Sequence, residues 1–382
     1  MDYSDFSRRR GELYKKIFEP SDEMVRKYSK IYAFTCANLR NLMPQVPKLN
    51  YEEFFKKTLF NQQVSALEQD VPEIINSVQL RGQYDFLLQD SSSRILCTFH
   101  LGSYRIINSI LTKHNKDYAI LTDSRVIKEQ SQEFILSWQK INDIYKTNGK
   151  FEIFDAERRD VLLKIARFLK EGNRYLVVYL DGNTGVGGQR NSSDNDNLIE
   201  IPFLNGSIKS RKGIAFISHL LKVPIVPVLN YRIDDEITLH FFNEIQTTEY
   251  ADKEEFCSKS MTKLYNNFVD YLLLYPNQWE GWFYIHYSLT IQSINSTFYL
   301  SQQTKNSDGH IFNDDQFDLF TYASNSKFIL DRQTYKSHIV NESLYEFLLD
   351  LKKTRINFTK ELVRADISAE TINELIEHKI LH

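Results

Sequence analysis

The chain has few cysteines, almost no net charge and no metal-binding motif, so several classes of protein can be excluded at once. Its three cysteines, Cys36, Cys97 and Cys257, are widely spaced and odd in number. They offer neither a disulfide framework nor a zinc knuckle, and they fit a reducing cytoplasm. The net charge is only -3, so the chain lacks the electrostatic footprint of a nucleic-acid-binding protein. No metal-binding motif is present either.

Targeting and membrane signals are also missing from the sequence. The first ten residues carry several charges and no apolar stretch follows them, so we expect no signal peptide. No window approaches the roughly 18 uninterrupted apolar residues that a membrane span needs. Hydrophobic residues make up 42% of the 382 residues, which is enough for a sizeable core. We therefore expect a globular, cytoplasmic protein without a transmembrane segment; peripheral contact with a membrane stays open.

The most informative segment present is the run from Arg94 to Arg105. A short apolar stretch ends abruptly at His100, Gly102 follows, and an amphipathic segment begins at Ile106. This pattern predicts a buried strand that carries an imidazole to the rim of a sheet. Histidine is well suited to moving protons near neutral pH, although a histidine at a strand end can also be purely structural.

Three further apolar runs have the same design and each ends at a carboxylate: 117–123 at Asp123, 151–155 at Asp155 and 174–181 at Asp181. Segments with helical periodicity lie between them. Strands that alternate with helices predict an α/β fold with a mainly parallel sheet flanked by helices. The ligand site of such a sheet lies beyond the carboxyl ends of its strands. We therefore expect the histidine and the three aspartates on one rim, although each aspartate alone is also typical of a helix cap or turn.

The chain divides into three parts on this pattern. Residues 1–75 are predicted to form a helical N-terminal region, with helices near 5–18, 22–42 and 51–69. Residues 76–297 are predicted to form the α/β domain. It contains a polar, glycine-containing loop at 185–197, which is more typical of a lid or surface loop than of a phosphate cradle. A polar linker then leads to a small C-terminal domain at 316–382.

Five short blocks of the α/β domain follow one another in a fixed order across roughly residues 78–286. The first is His100-Leu-Gly-Ser-Tyr-Arg105. The others are Asp181-Gly-Asn183, Ile201-Pro-Phe-Leu-Asn-Gly206, Lys212-Gly-Ile-Ala215 with Val223-Pro-Ile-Val-Pro-Val228, and Tyr275-Pro-Asn-Gln-Trp279-Glu-Gly-Trp282. Together these blocks resemble the late acyltransferases of lipid A biosynthesis, which belong to the lysophospholipid acyltransferase superfamily and in which the first block reads His-x-Gly-Asn-Trp-Glu.

The resemblance implies that His100 acts as a general base on the acceptor of an acyl thioester, oriented by a carboxylate. The family has an acidic residue five positions after its histidine, and this chain has Arg105 there. An arginine cannot accept the imidazole proton. Three explanations remain: another rim carboxylate, Asp181 first and Asp155 second, orients His100; Arg105 binds an anion of the donor or acceptor; or acyl transfer has been lost and only binding is kept.

Other residues near the predicted rim are candidates for substrate binding. Gly102 and Ser103 shape the turn after the histidine and offer backbone N–H groups for an oxyanion. Asn183 follows the strand that ends at Asp181. Arg211 and Lys212 open a predicted helix, where added cations favour phosphate or carboxylate binding. Solvated charges at a helix start are an equally good reading of that pair.

The C-terminal segment shows two predicted strands, at 317–322 and 327–330, and two predicted helices, at 341–350 and 368–379. Asn341 and Ser368 are typical helix N-caps. The arrangement resembles the PqqD-like winged-helix domain, which binds leader peptides by β-addition to an edge strand. Contact with another partner or a second copy is the alternative. DNA binding is disfavoured because the last helix is acidic.

The function predicted from the sequence is an acyltransferase. It moves a fatty acyl group from a thioester of an acyl carrier protein or CoA to an amine or hydroxyl, on a peptide of natural-product biosynthesis if the C-terminal resemblance holds. We expect His100 and Asp181 to be catalytic and no bound cofactor, with the acyl thioester as co-substrate. The alternatives are a catalytically silent module that binds a carrier protein or leader peptide, and a thioester hydrolase or condensing enzyme at the same rim.

Overall fold

The structure is a computed structural model that describes residues 1–89, 92–182, 197–250, 252–294, 310–322, 325–354 and 367–381. Within these ranges it contains eleven α-helices: α1 Tyr3–Phe18, α2 Asp22–Leu42, α3 Tyr51–Glu68, α4 Pro72–Ser77, α5 Ile106–Lys113, α6 Ser124–Tyr145, α7 Val161–Lys170, α8 Gly213–Leu221, α9 Lys253–Leu274, α10 Glu342–Thr354 and α11 Ala369–Glu377. None of the described helices is both long and apolar enough to cross a membrane.

The described residues also form twelve strands: β1 Gln79–Gly82, β2 Arg94–Thr98, β3 Asp117–Thr122, β4 Phe151–Asp155, β5 Arg174–Tyr179, β6 Leu198–Phe203, β7 Gly206–Arg211, β8 Ile225–Ile233, β9 Glu236–Phe241, β10 Phe317–Tyr322, β11 Ser326–Asp331 and β12 Ser337–Val340. Seven of them make one sheet in the order β1-β9-β8-β2-β5-β3-β4. All neighbours in it are parallel except β8 and β9. The predicted α/β fold with a mainly parallel sheet is confirmed.

The central strands of the sheet are apolar because both of their faces are covered. Along β2, Ile95 and Cys97 enter one core cluster and Leu96, between them, enters the cluster on the opposite face. On β5, Leu176 and Val177 divide in the same way. Successive side chains of a strand point to opposite faces, so a strand between two helical layers must be apolar at nearly every position.

The helical N-terminal region packs onto this sheet and onto the C-terminal segment. The helices predicted near 5–18, 22–42 and 51–69 are present as α1, α2 and α3, each within two residues of the expected bounds. Cys36 and Leu39 of α2 lie in the core cluster of the α/β domain. Phe34, on the same helix, packs with Phe320 of β10. Helix α2 therefore contacts both the core of the α/β domain and strand β10 of the C-terminal segment.

The C-terminal segment forms an antiparallel sheet, β10-β11-β12, with α10 and α11 packed on it. The two predicted strands and two predicted helices are present, and β12 adds a third strand that the sequence pattern did not indicate. Asp318 is buried between Arg332 and Lys352, whose charges hold the pKa of its carboxyl at about 2 although burial opposes this. A buried carboxylate needs such partners.

A second buried ion pair lies where α3 meets the sheet. Glu68 of α3 accepts from the Nε of Arg232 of β8 at 3.0 Å, and both side chains are less than a tenth exposed. Asn61 accepts from the same guanidinium at 2.9 Å. The hydroxyl of Ser103 donates to Glu68. This network ties α3 to β8 and to the turn that follows His100.

Replacing Glu68 with glutamine should destabilise the fold strongly. Glu68→Gln leaves the Arg232 guanidinium buried with no negative charge beside it, and breaking a buried pair in this way costs about 3 kcal/mol or more. The free energy of unfolding, measured by denaturant titration, should fall by that amount. Glu53→Gln is the matched control: Glu53 pairs with Lys57 on the surface of α3, and its loss should leave stability nearly unchanged. Equal stability of both variants would contradict the assignment.

Candidate active site

His100 is placed by a sharp turn between β2 and α5. Phe99, the residue before it, is buried and stacks on Phe268 of α9 with ring centroids 4.0 Å apart. Gly102 then has a φ of 58°, in the left-handed region, and a Cβ there would lie 2.8 Å from the carbonyl oxygen of Asn230. Only glycine fits both the conformation and the space. The turn therefore leaves the buried strand at a fixed position and holds the imidazole at the sheet's carboxyl edge.

Asp181 lies beside His100 because β2 and β5 are parallel neighbours that end together. The Nδ1 atom of His100 is 2.8 Å from Oδ1 of Asp181. The backbone N–H of His100 also donates to the carboxylate, at 3.2 Å from Oδ1 and 3.1 Å from Oδ2. The structure therefore brings together the two residues that the sequence predicted as a catalytic pair.

A third group completes the hydrogen bonding of Asp181. The indole Nε1 of Trp279 donates to Oδ2 at 2.6 Å, and the Asp181 side chain is only 2% exposed. Since the carboxylate is held from several sides, it fixes the orientation of the imidazole. With Nδ1–H donated to Asp181, the neutral ring carries its free lone pair on Nε2. This tautomer is the one that a general base needs.

Two tyrosine rings enclose the imidazole. Tyr179 stacks on His100 with centroids 4.8 Å apart, and Tyr104 meets it edge-on at 4.6 Å. The His100 side chain is 17% exposed, so it reaches the cleft without being open to bulk water. These contacts restrict rotation of the ring and keep the Asp181 hydrogen bond in place.

The charges around His100 change its pKa. Burial alone would lower the pKa, but the negative charges of Asp181 and Glu280 and the hydrogen bond to Asp181 raise it above its ordinary value of 6.5. Arg105 acts weakly in the opposite direction. The site thus favours the imidazolium form, which is the form that a general base reaches after it accepts a proton.

Two of the predicted substrate-binding groups, the backbone N–H groups of Gly102 and Ser103, are already used within the protein. The N–H of Gly102 donates to the carbonyl of Gln278 at 2.9 Å, and that of Ser103 donates to Oδ1 of Asn230 at 2.8 Å. Ser103 is fully buried and its hydroxyl faces Glu68. Both residues hold the turn in place, and the predicted oxyanion role would require exchange of these partners.

Asp155, the second candidate partner of His100, lies elsewhere. It ends β4, the edge strand, which is separated from β2 by β5 and β3. Its carboxylate accepts from the hydroxyl of Ser124 at 2.7 Å and from the N–H of Glu157 at 2.9 Å. Asp155 thus shapes the turn after its own strand and does not reach the imidazole. Asp123 likewise caps α6, through the N–H of Val126, while bordering the cleft.

Arg105 borders the cleft but has protein partners. Its guanidinium donates to Glu133 and Gln130 of α6, both at 3.1 Å, and lies over the ring of Phe134. These contacts of Arg105 hold α6 beside the site. Anion binding by Arg105 stays a prediction, and it would require exchange of these partners.

The site faces a cleft of about 1780 Å³. Apolar side chains from several elements line part of it: Val126, Phe134, Ile165, Phe203, Ile214 and Ile217. Arg211 and Lys212 lie at the same cleft, with Lys212 paired to Glu254, and the cations Arg158, Arg159 and Lys253 also border it. Asn183 and residues 185–196 of the predicted loop lie outside the described residues. The cleft can thus receive a long apolar chain and an anionic group.

Two residues at the site were not predicted as functional. The sequence pattern around Trp279 and Trp282 indicated aromatic packing, and only the structure shows the hydrogen bond from Trp279 to Asp181. Glu280, next to it, borders the cleft and raises the pKa of His100. The Pro-x-x-Trp block of the family resemblance was the one signal that could have drawn attention to this segment.

Among the described residues, no cluster of three or more His, Cys, Asp or Glu side chains is arranged to hold a metal ion.

Comparisons with known proteins do not assign this chain to a family. No protein-family model matches the chain, and no curated protein matches it. Among solved structures, the chain is similar to the 1-acyl-sn-glycerophosphate (LPA) acyltransferase PlsC from Thermotoga maritima. That match has a TM-score of 0.32 and 12% identity, and it covers 70% of this chain and 97% of the other. A likeness this weak carries no argument about activity, so the function rests on the geometry of the site.

Removing the charge of Asp181 should lower the pKa of His100. In Asp181→Asn the burial that opposes protonation remains while the nearest negative charge is lost, so the pKa should fall by about one unit or more. NMR titration of the ring protons measures this value, with His100→Ala identifying the resonance. Asp155→Asn removes a similar strand-end charge outside contact with the imidazole and should leave the pKa unchanged. The same titration curve in both variants would refute the pairing.

Proposed function

We propose that this protein is an acyltransferase that moves a fatty acyl group from an acyl-carrier-protein or CoA thioester to an amine or hydroxyl acceptor. The observation that carries the proposal is the contact of 2.8 Å between His100 and Asp181 at a large, partly apolar cleft. The resemblance of the sequence to the lipid A acyltransferases supports the same reaction. The lipid A pathway itself is not part of the proposal.

In the proposed mechanism His100 is the general base. Its Nε2 takes the proton of the acceptor nucleophile as that nucleophile attacks the thioester carbonyl, and Asp181 stabilises the imidazolium that forms. A new C–N or C–O bond forms and the C–S bond breaks. The thiolate leaves and takes the proton back from Nε2, so the imidazole returns neutral. Trp279 keeps the carboxylate in place through its hydrogen bond of 2.6 Å.

The cleft is suited to the donor of this reaction. Both CoA and the carrier-protein prosthetic group join a thioester to phosphate, so the donor presents an apolar chain at one end and anions at the other. The apolar walls, which include Phe203 and Ile214, would hold the chain. Arg211 and Lys212, beside the start of α8, would face the phosphate. Action in the cytoplasm, where both donors are found, belongs to the same proposal.

The two rival functions differ in what they require of the dyad. A silent binding module has no need of a buried carboxylate held on Nδ1 of a histidine, so the intact pair argues against it. A thioester hydrolase would use the same pair with water as the acceptor. The acylated product, and not the structure of the pair, separates transfer from hydrolysis.

Replacing His100 should abolish acyl transfer while the fold is kept. The test uses octanoyl-, dodecanoyl- and palmitoyl-CoA with hexylamine or hexan-1-ol as acceptor, and measures thiol release and acylated product. Loss of the base should lower the rate by about 100-fold or more in His100→Ala. His378→Ala, an exposed histidine of the C-terminal segment, is the matched control and should keep full activity.

Each other outcome of this assay has a clear meaning. Equal rates in wild type and His100→Ala would contradict the proposed function. Release of thiol that depends on His100 without any acylated amine or alcohol would identify the hydrolase. Thermal unfolding of each variant confirms that a lost rate does not reflect a lost fold.

The C-terminal sheet adds a proposed partner, an extended peptide. Strand β12 is the outer strand of its sheet, and Ser337, His338 and Ile339 are all exposed on it. An exposed edge strand is a template for β-addition of a second chain. Together with the resemblance to the PqqD-like domain, this edge supports a peptide that the C-terminal segment brings to the acyltransferase. Natural-product biosynthesis would be its setting.

A charge on β12 should weaken such peptide binding. Peptides selected from a random display library on the wild-type protein should bind Ile339→Asp at least about tenfold more weakly, because the apolar side chain is 71% exposed beside the edge and a charge disfavours an added strand. Leu220→Asp is the control: Leu220 is an exposed leucine of α8 far from this sheet in sequence. Selected peptides that bind all three proteins equally would rule out the edge of β12 as their site.

A further inference from the structure

Helix α6 is long but has almost no fully buried side chains. It has 22 residues, and Ile141 is its only buried one. Helix α9, which has the same length, buries eight. Besides Ile141, α6 reaches the core through the partly buried rings of Phe134, Trp138 and Tyr145. Since helices in proteins are stabilised mainly by the packing of one face, a large part of the surface of α6 is left without a partner in the monomer.

One face of α6, which we call the outer stripe, carries only exposed side chains. At about 100° of rotation per residue, its members fall within an arc of about 100°. They are Lys128, Gln132, Ile135, Leu136, Gln139 and Asp143. Ile135 is 42% exposed and Leu136 is 57% exposed. Gln130 and Phe134, which line the cleft, lie on another face of the helix, so a chain bound to the outer stripe would not fill the cleft.

The outer stripe has the same arrangement when it is read from either end. Ile135 and Leu136 form its apolar centre, one glutamine lies three residues from this centre on each side, and Lys128 and Asp143 lie four residues beyond the glutamines. The two ends therefore carry opposite charges. Neither Lys128 nor Asp143 forms an ion pair within the part of the chain that the structure describes. Such a surface is complementary to a copy of itself that runs in the opposite direction.

We propose that the outer stripe binds the outer stripe of a second copy of this chain, with the two α6 helices antiparallel about a two-fold axis. An axis between Ile135 and Leu136 places Lys128 of each copy opposite Asp143 of the other, because every contact of a two-fold interface occurs twice. The glutamines then face each other and the apolar centre is covered. A parallel pair would instead place like charges together at both ends, which is unfavourable. This inference does not depend on the proposed function.

The size and charge of the outer stripe predict a reversible dimer. Stable interfaces bury about 800 Å² on each partner, and one helix face supplies less than this, so we expect a dissociation constant of about 1–100 µM. Arg125, which lies just before the stripe, is already paired with Glu129 at 3.1 Å. The charges that decide the orientation of the two helices are therefore those of Lys128 and Asp143.

Sedimentation equilibrium of the full chain, at about 2–200 µM, tests for the dimer. Leu136→Arg should weaken it at least about tenfold, because two cations then meet near the two-fold axis. Leu220→Arg is the matched control. Leu220 is an exposed leucine of α8, whose buried residues belong to the core cluster on the opposite face of the sheet from α6, and this variant should dimerise like wild type. A wild-type chain that stays monomeric over this range would overturn the inference, and so would a dimer that Leu136→Arg leaves unchanged.

Exchange of the two end charges tests the orientation of the helices. Lys128→Asp and Asp143→Lys should each weaken the dimer about tenfold, because each replaces two pairs of opposite charges by two pairs of like charges. The double variant Lys128→Asp/Asp143→Lys exchanges the charges and should recover the affinity of wild type. Losses that add in the double variant would overturn the antiparallel arrangement. All of these positions are exposed, and thermal unfolding of each variant checks that the fold is kept.

Disulfide formation tests which residues face each other. The two-fold axis places Gln132 opposite Gln139 of the second copy, so Gln132→Cys/Gln139→Cys should form a covalent dimer under mild oxidation. In Gln132→Cys alone the two thiols would be about 10 Å apart along the helices, which is beyond the reach of a disulfide, and this variant should stay unlinked. The three native cysteines are buried and free, so they should not compete. Equal linking of the two variants, or linking of neither, would overturn the proposed pairing.

Discussion

The hydrogen bonds of the Asp181 carboxylate join the parts of the chain that form the site. They come from the ring and backbone of His100, which follows β2, and from the indole of Trp279, which lies almost one hundred residues after Asp181. Since the carboxylate is nearly inaccessible to water, each lost partner would leave a buried charge short of a donor. The same contacts that orient the imidazole therefore hold the turn, the strand ends and the Trp279 segment together.

A layer of structural polar groups lies directly beneath the pair of His100 and Asp181. Gly102 and Ser103 face inward, to Gln278, Asn230 and Glu68, and the ion pair of Glu68 with Arg232 holds that side of the turn to α3. The turn thus has two sides with different roles. The groups on its inner side make the hydrogen bonds that hold the turn in place, and its outer side carries the imidazole to the cleft.

The charge balance of the site also differs from the one that the sequence motif implies. Arg105 occupies the position where the related motif has an acid, and the structure turns that cation toward α6. The acidic charge comes instead from Asp181 and from Glu280, which belong to other segments of the chain. Only the fold brings these carboxylates to the imidazole, because each is far from it in sequence.

The sequence by itself determined that strands alternate with helices in the α/β domain, that the sheet is mainly parallel, and that polar residues follow several of its strands. These follow from local patterns: apolar runs that stop at His100 or Asp181, and periodic helices between them. The tertiary structure decided which strand ends meet. Asp155 and Asp181 end strands of the same design, but β5 lies next to β2 and β4 does not. Strand order, the inward direction of Ser103 and the approach of Glu280 depend on contacts between distant residues, and no local pattern encodes them.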